Sequence, residues 1–278
     1  MPDRTDFSSH DVIAFIGGGN MASAIVGGLV RQGLAPTQIE VVEPFAAARE
    51  RLQQQFGVDA REKAGIALER AGLVVWAVKP QTFRQAADEV RAHTTAALHL
   101  SVAAGIRSDS IADWLGTQRV IRCMPNTPAL VGKGITALYA RPAVSDTDKR
   151  QSEQVIASTG EWLWVEEEAQ LDAVTALSGS GPAYVFFFLE AMTHAGLDMG
   201  LSRQQAYRLS LETFAGAAEL ARASDDAPEV LRQRVTSKAG TTEAAIRSME
   251  SDGVQALFVK ALKAAGQRAR ELGEEFGR

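Results

Sequence analysis

The run Gly17-Gly18-Gly19-Asn20-Met21-Ala22 carries the plainest chemistry in this 278-residue chain. It fits G-x-G-x-x-A, follows the apolar stretch from Val12 to Ile16 and precedes the helically spaced Met21, Ile25 and Leu29. In such a strand–turn–helix the first glycine permits the tight turn. The second lets backbone approach a pyrophosphate, and the small sixth residue lets helix and strand pack closely. The helix start adds free N–H groups and partial positive charge. A dinucleotide is the ligand such a turn holds; a glycine-rich turn with no ligand is the alternative. Glu43 stands 21 residues after Ala22, at the end of the next apolar run. A carboxylate there accepts from a ribose 2′-OH and repels a 2′-phosphate, which favours NAD over NADP. Arg49 and Arg51 could offset it, and Glu43 could instead face solvent beside Pro44.

Further loops stand where ligands gather, at strand ends. They are Ala77-Val78-Lys79-Pro80, Ala103-Ala104-Gly105 and Met124-Pro125-Asn126-Thr127-Pro128. Two prolines stiffen the backbone around Asn126, which suits a nicotinamide or substrate pocket as well as it suits a plain turn. A second kind of site lies in Ser237-Lys238-Ala239-Gly240-Thr241-Thr242. Hydroxyls and free N–H groups at a helix start can hold a small carboxylate, or Thr241 or Thr242 can be an ordinary N-cap. Ser178-Gly179-Ser180-Gly181-Pro182 lacks the glycine of a nucleophile elbow. Gly132-Lys133 lacks the other residues of a P-loop, so phosphoryl transfer has no anchor.

The elements that must position these loops change in rhythm along the chain. Strands are expected at Val12 to Ile16, Ile39 to Val42, Leu73 to Val78, Leu98 to Ala103 and Arg119 to Arg122, with helices between them. Unbroken apolar runs alternating with helices predict a doubly wound, mostly parallel sheet of Rossmann type. Ile135 to Tyr139 and Trp162 to Val165 are candidate edge strands. Beyond Gln170 helical spacing dominates. Pro182 sits in a helix's first turn, Ser202 to Gln205 reads as a capping box, and Pro228, Thr242 and Gly253 open further helices. The expected organisation is an N-terminal extension 1–11, a dinucleotide-binding domain 12–167 and an all-helical domain 168–278.

Net charge −5 argues against a nucleic-acid face, but not against a small local anion site. One cysteine (Cys123) and four scattered histidines give neither a disulfide framework nor a metal site, and fit a reducing cytoplasm. No apolar run approaches the ~20 residues of a membrane span, and no secretory signal stands at the start.

Together, Ile16 to Met21, Ala77 to Pro80, Met124 to Pro128, Ser178 to Tyr184 and Ser237 to Thr242 resemble the motifs of pyrroline-5-carboxylate reductases. The resemblance runs from Val12 to about Leu272. It implies reduction of 1-pyrroline-5-carboxylate to L-proline, the last step of proline biosynthesis, with NADPH or NADH. It implies that Ile16, Gly17, Gly18, Gly19, Asn20 and Met21 carry the pyrophosphate. Ala77, Val78, Lys79, Pro80, Ala103, Ala104 and Gly105 would line the cofactor, with Asn126 near the nicotinamide. Ser237, Gly240, Thr241 and Thr242 would hold the substrate carboxylate, and Thr242 would be the catalytic residue beside the imine nitrogen. The helical domain would form a homodimer, and five dimers a decamer. Two departures stand out. The family often has Ser-Pro-Gly-Gly where this chain has Ser237-Lys238-Ala239-Gly240, and often a small polar residue at Glu43 in NADPH-preferring members.

The implied chemistry agrees with a chain poor in His and Cys. A protonated cyclic imine is already electrophilic, so hydride transfer needs orientation more than a strong acid. Two other readings compete. A β-hydroxyacid dehydrogenase would need a catalytic lysine just after the domain boundary, and no lysine lies between Lys149 and Lys238. A non-catalytic cofactor sensor would have no need of the paired loops at Asn126 and Gly240.

Overall fold

Strand β1 (Ile13–Ile16) is buried on both faces, and its side chains alternate between two cores. Ile13 and Phe15 join Ile25 and Leu29 of α1 (Asn20–Arg31), while Ala14 and Ile16 face the opposite side. The computed structural model describes residues 12–277. The expected extension 1–11 lies outside the described residues. β2 (Ile39–Val42) and α2 (Ala46–Phe56) follow, then the two-residue β3 (Ala60–Arg61), which the sequence pattern does not announce. The series continues through β4 (Leu73–Trp76), α3 (Pro80–Val90), β5 (Leu98–Ser101), α4 (Ser108–Leu115) and β6 (Val120–Met124). β7 (Gly134–Ala140), α5 (Asp146–Ala157) and β8 (Gly160–Trp164) complete the sheet.

The strand order is β3-β2-β1-β4-β5-β6-β7-β8. All neighbours are parallel except β6 and β7, which are antiparallel. β7 therefore lies inside the sheet, and of the two expected edge strands only β8 is an edge. α1, α2 and α5 cover one face, with Leu52, Val155 and Ile156 in the same core as Phe15. α3 and α4 cover the other, with Phe83, Ile111 and Leu115 packed against Trp76 and Val74. Crossovers on both faces make the doubly wound arrangement the apolar runs predicted.

His99 on β5 is 1% exposed, and its Nδ1 accepts from Trp76 Nε1 at 3.0 Å. Burial pushes its pKa down from 6.5 to about 4; a backbone bond at Thr94 opposes the shift and the Arg119 charge adds to it. The folded protein holds His99 neutral while the unfolded chain protonates below pH 6.5. Stability is thus full above pH 6.5 and falls as the pH drops towards 4, by roughly 3 kcal/mol in all. Urea unfolding at pH 7, 5.5 and 4.5 should show the loss. His99→Gln keeps an acceptor for Trp76 and should flatten it in that window.

After β8 comes a short helix, α6 (Gln170–Val174), continued by a π-helical turn Thr175–Gly179. The remaining helices are α7 (Gly181–Asp198), α8 (Arg203–Arg222), α9 (Pro228–Arg234), α10 (Thr241–Ser251) and α11 (Val254–Phe276). Ser202 caps α8 by accepting from Gln205 N, as the capping box requires. The chain packs as two units. One runs up to Ser180 and resumes at Ala265; the other is Gly181–Ala264. In the helical unit α7 and α8 come close, since a Cβ on Gly196 would sit 2.6 Å from Ala206 Cβ. Phe188 and Tyr184 make T-shaped ring contacts with Phe258, whereas Phe186, Phe187, Leu209 and Leu257 are exposed. The Phe186-Phe187-Phe188 run is therefore divided between a packed ring and an apolar surface. No described helix is long and apolar enough to cross a membrane.

Candidate active site

The parallel register aligns the strand ends of the sheet unit. Ile16 pairs with Val42 and Trp76, Trp76 with Ser101, and Ser101 with Arg122. The glycine turn, Glu43, Ala77 to Pro80, Ala103 to Gly105 and Asn126 consequently leave the sheet along one edge. Motifs spread over 110 residues of sequence are made neighbours by topology alone.

Gly17 donates its N–H to Val42 O at 2.8 Å and has φ +97°, a conformation that L side chains rarely adopt. A Cβ there would lie 2.6 Å from the Ala77 carbonyl oxygen. Gly19 is different: it is the N-cap of α1 in extended conformation, and a Cβ on it would meet nothing within 4 Å. No side chain caps α1, so its first-turn N–H groups face this open side. Ala22 is fully buried against the sheet, while Asn20 is exposed and Met21 half-buried. Gly18 is buried and gives its N–H to Glu43 Oε2 at 2.6 Å. A dinucleotide pyrophosphate fits this turn: an uncapped helix start, and a glycine whose missing side chain leaves room for backbone approach.

Glu43 is 6% exposed. The solvent-facing alternative is thereby corrected: hydrogen bonds from Gly18 N and Phe45 N draw the carboxylate over the turn. Lys79 is the exposed N-cap of α3, with Pro80 at the first helical position. Ala103 is buried; Ala104 and Gly105 are half-buried, and Gly105 has φ +74°. Asn126 is buried and both ends of its amide are engaged. Its Oδ1 accepts from Ile135 N at 3.0 Å, and its Nδ2 donates to Ser178 O at 3.2 Å. Asn126 thus ties the end of β6 to the π-helical turn, a tie no local sequence pattern reveals. Cys123 is buried with its thiol against Ser101 O, and burial pushes it well above the usual thiol range, with Arg122 opposing. It is a packed residue, not a nucleophile.

In the helical unit, Ser237 to Gly240 leads into α10, with Ser237, Lys238, Ala239 and Thr241 exposed and Gly240 and Thr242 half-buried. The N-cap is Gly240, not a threonine, and no side chain caps the helix. Thr241 and Thr242 occupy its first turn, leaving N–H groups there for an anion. A Cβ on Gly240 would lie 2.5 Å from Ser237 Oγ, so the glycine is what lets that hydroxyl lie over the helix start. Ala239 has φ +59°, the one described non-glycine residue with positive φ. It stands where the family often has glycine. Its N–H bonds to Glu243 Oε2, and Arg247 holds the other oxygen at 2.9 Å. Glu243 stands four residues before Arg247, the spacing of a helical ion pair, and that spacing is its one signal in the sequence.

Residues 168–272 match the family model described as "Pyrroline-5-carboxylate reductase dimerisation", and residues 12–105 match "NADP oxidoreductase coenzyme F420-dependent". The pyrroline-5-carboxylate reductase of Pseudomonas aeruginosa is 47% identical over 267 residues, covering 95% of this chain and 98% of that one. The chain belongs to the pyrroline-5-carboxylate reductase family. The Vibrio alginolyticus enzyme of that name is 36% identical, covering 96% and 99% of the two chains. Among solved structures, the Coxiella burnetii reductase superposes with TM-score 0.89 at 38% identity, covering 95% of this chain and 99% of that one. The Plasmodium falciparum pyrroline carboxylate reductase with NADP bound gives 0.84 at 25%, covering 96% and 100%. Family membership makes this chain an NAD(P)-dependent oxidoreductase, and the strand order is the Rossmann arrangement that the apolar runs predicted.

Proposed function

We propose that this chain reduces the C=N bond of 1-pyrroline-5-carboxylate to give L-proline, the final step of proline biosynthesis, with NADPH or NADH. The observation that carries the reading is the Ser237–Gly240 arrangement, a hydroxyl beside an uncapped helix start, in a chain that also has the open dinucleotide turn. When bound, the reduced nicotinamide supplies the hydride. The chain's own residues bind and orient. Gly19, Asn20 and Met21 admit the pyrophosphate on the turn that Gly17 and Gly18 close; Ile16, Ala77 to Pro80, Ala103 to Gly105 and Asn126 flank it at the same sheet edge. Ser237 Oγ and the N–H groups of Thr241 and Thr242 take the substrate carboxylate, and Gly240, whose own N–H bonds Ser237 O at 3.1 Å, keeps the helix start open to it. The Thr242 hydroxyl bonds the ring nitrogen. Orientation suffices because the imine is reactive once protonated in solution.

In this reading residues 12–167 serve the cofactor and 168–278 serve substrate binding and dimerisation. The exposed Phe186, Phe187, Leu209 and Leu257 support self-association into a homodimer, and assembly of five dimers into a decamer is what the resemblance to the family implies. A cytoplasmic setting is supported by the single cysteine. The substrate is a small anion and not a nucleic acid, which suits net charge −5.

The test is consumption of NADPH or NADH, followed by absorbance, with 1-pyrroline-5-carboxylate present. Thr242→Ala should lower kcat/KM by about ten- to a hundredfold, the effect of losing one hydrogen bond to a charged group. No turnover of either cofactor would sink the activity, and a wild-type value in the variant would sink the role of Thr242.

A further inference from the structure

Glu43 has consequences for which dinucleotide the turn accepts. Its carboxylate lies directly on the glycine turn: a Cβ on Gly18 would come 3.1 Å from Glu43 Cγ. Oε2 accepts from Gly18 N at 2.6 Å and Oε1 from Phe45 N at 2.8 Å. A carboxylate offers about four acceptor positions and no donor. The two left after these bonds can accept from a ribose diol, while a 2′-phosphate would bring negative charge and no donor to the same place.

The cations that could offset this already have partners in the protein. Arg49 donates through Nη1 to the backbone carbonyls of Glu43 at 2.9 Å and Pro44 at 2.7 Å, and its Nη2 lies 3.7 Å from Glu62. Arg61 and Arg70 both pair with the buried Glu40. Arg51 is two residues beyond Arg49 on α2 and so faces a different side of the helix.

We propose that Glu43 makes this chain select the dinucleotide without a 2′-phosphate, NADH over NADPH. The backbone amides of Gly18 and Phe45 hold the carboxylate against the turn, and the Arg49 guanidinium is held by the carbonyl oxygens of Glu43 and Pro44. The proposal rests on the cofactor reading above.

Titration of nicotinamide fluorescence gives Kd for each reduced cofactor without substrate. Wild-type protein should bind NADH at least about tenfold more tightly than NADPH. Glu43→Gln keeps the shape and one acceptor, removes the charge, and should bring the two Kd values within about threefold of each other, mainly by tightening NADPH. The kcat/KM ratio should move in step. Equal or tighter binding of NADPH by the wild type overturns the proposal, and so does a ratio unchanged in Glu43→Gln. Should that variant fail to fold, the wild-type ratio decides by itself. Binding of neither cofactor would instead overturn the cofactor reading beneath it.

Discussion

Gly17→Ala should cost the fold about 3 kcal/mol or more, whereas Gly19→Ala should leave stability unchanged and weaken dinucleotide binding at least tenfold. The two glycines are two residues apart in one turn, but the structure gives them separate tasks. A methyl group on Gly17 would lie 2.6 Å from the Ala77 oxygen and 2.9 Å from its carbon, atoms fixed by the β1–β4 pairing. The turn would also have to keep φ +97°, which costs an L residue about 1–2 kcal/mol before any clash. The strand ends must part, and stability falls with them. A methyl on Gly19 meets no protein atom within 4 Å, and its φ of −72° suits any residue. It projects into the space a pyrophosphate would enter. Urea denaturation and cofactor titration of both variants give the answer: a Gly17→Ala protein of wild-type stability contradicts the first half. Unchanged cofactor affinity in Gly19→Ala contradicts the second.

How much of this was legible in the sequence depends on how local each cause is. The buried strands read as apolar runs because helices cover both faces of the sheet, and β1, β2, β4, β5 and β6 fall where those runs lie. The capping box at Ser202 and the prolines at Pro80 and Pro228 are local signals with local consequences. β3 was not legible, because two residues carry no period. The interior place of β7 depends on which neighbour it pairs with, a long-range fact. In the candidate site, the glycine pattern showed that a turn exists but not that Gly17 serves folding and Gly19 serves access. The position of Glu43 was readable; its two amide partners were not, since one comes from a turn 25 residues earlier. For the same reason Asn126 looked like a loop residue, although its amide joins β7 to the π-helical turn through Ile135 and Ser178. By composition alone the acidic run Glu166-Glu167-Glu168 reads as a solvated connection, but the structure engages the Glu168 carboxylate with Ser108 and Arg122.

Glu168 lies at the junction before α6 and closes a buried cluster, and Glu168→Ala should destabilise the protein by about 3–5 kcal/mol. Its Oε1 accepts from Arg122 Nη1 at 2.5 Å and Ser108 N at 2.7 Å, and its Oε2 accepts from Ser108 Oγ at 2.6 Å. Arg122 is only 5% exposed. Burial lowers its pKa even with the Glu168 charge opposing. Burial pushes Glu168 the other way, but the Arg122 charge and the Ser108 and Arg122 hydrogen bonds outweigh it, holding the carboxyl below the usual range. Four residues further on, Asp172 pairs with Arg107 at 2.8 Å, so two ion pairs fasten the start of α6 to β6 and α4. Removing Glu168 alone leaves the Arg122 guanidinium buried without its counter-charge, which is the costly half of breaking such a pair. Glu168→Gln keeps the shape and some bonds and should cost less. The double variant Arg122→Met, Glu168→Leu should recover much of the loss, because a buried pair is expensive to break but not to replace. A carboxyl depressed in the folded state contributes stability above its unfolded pKa and loses it as pH falls through the folded one. The Glu168 contribution should therefore be full above pH 4.5 and be lost only below it, where most of the His99 contribution has already gone. Urea unfolding of the three variants at pH 7 separates these causes. If Glu168→Ala costs no more than the double variant, the buried charge is not what the pair is restraining.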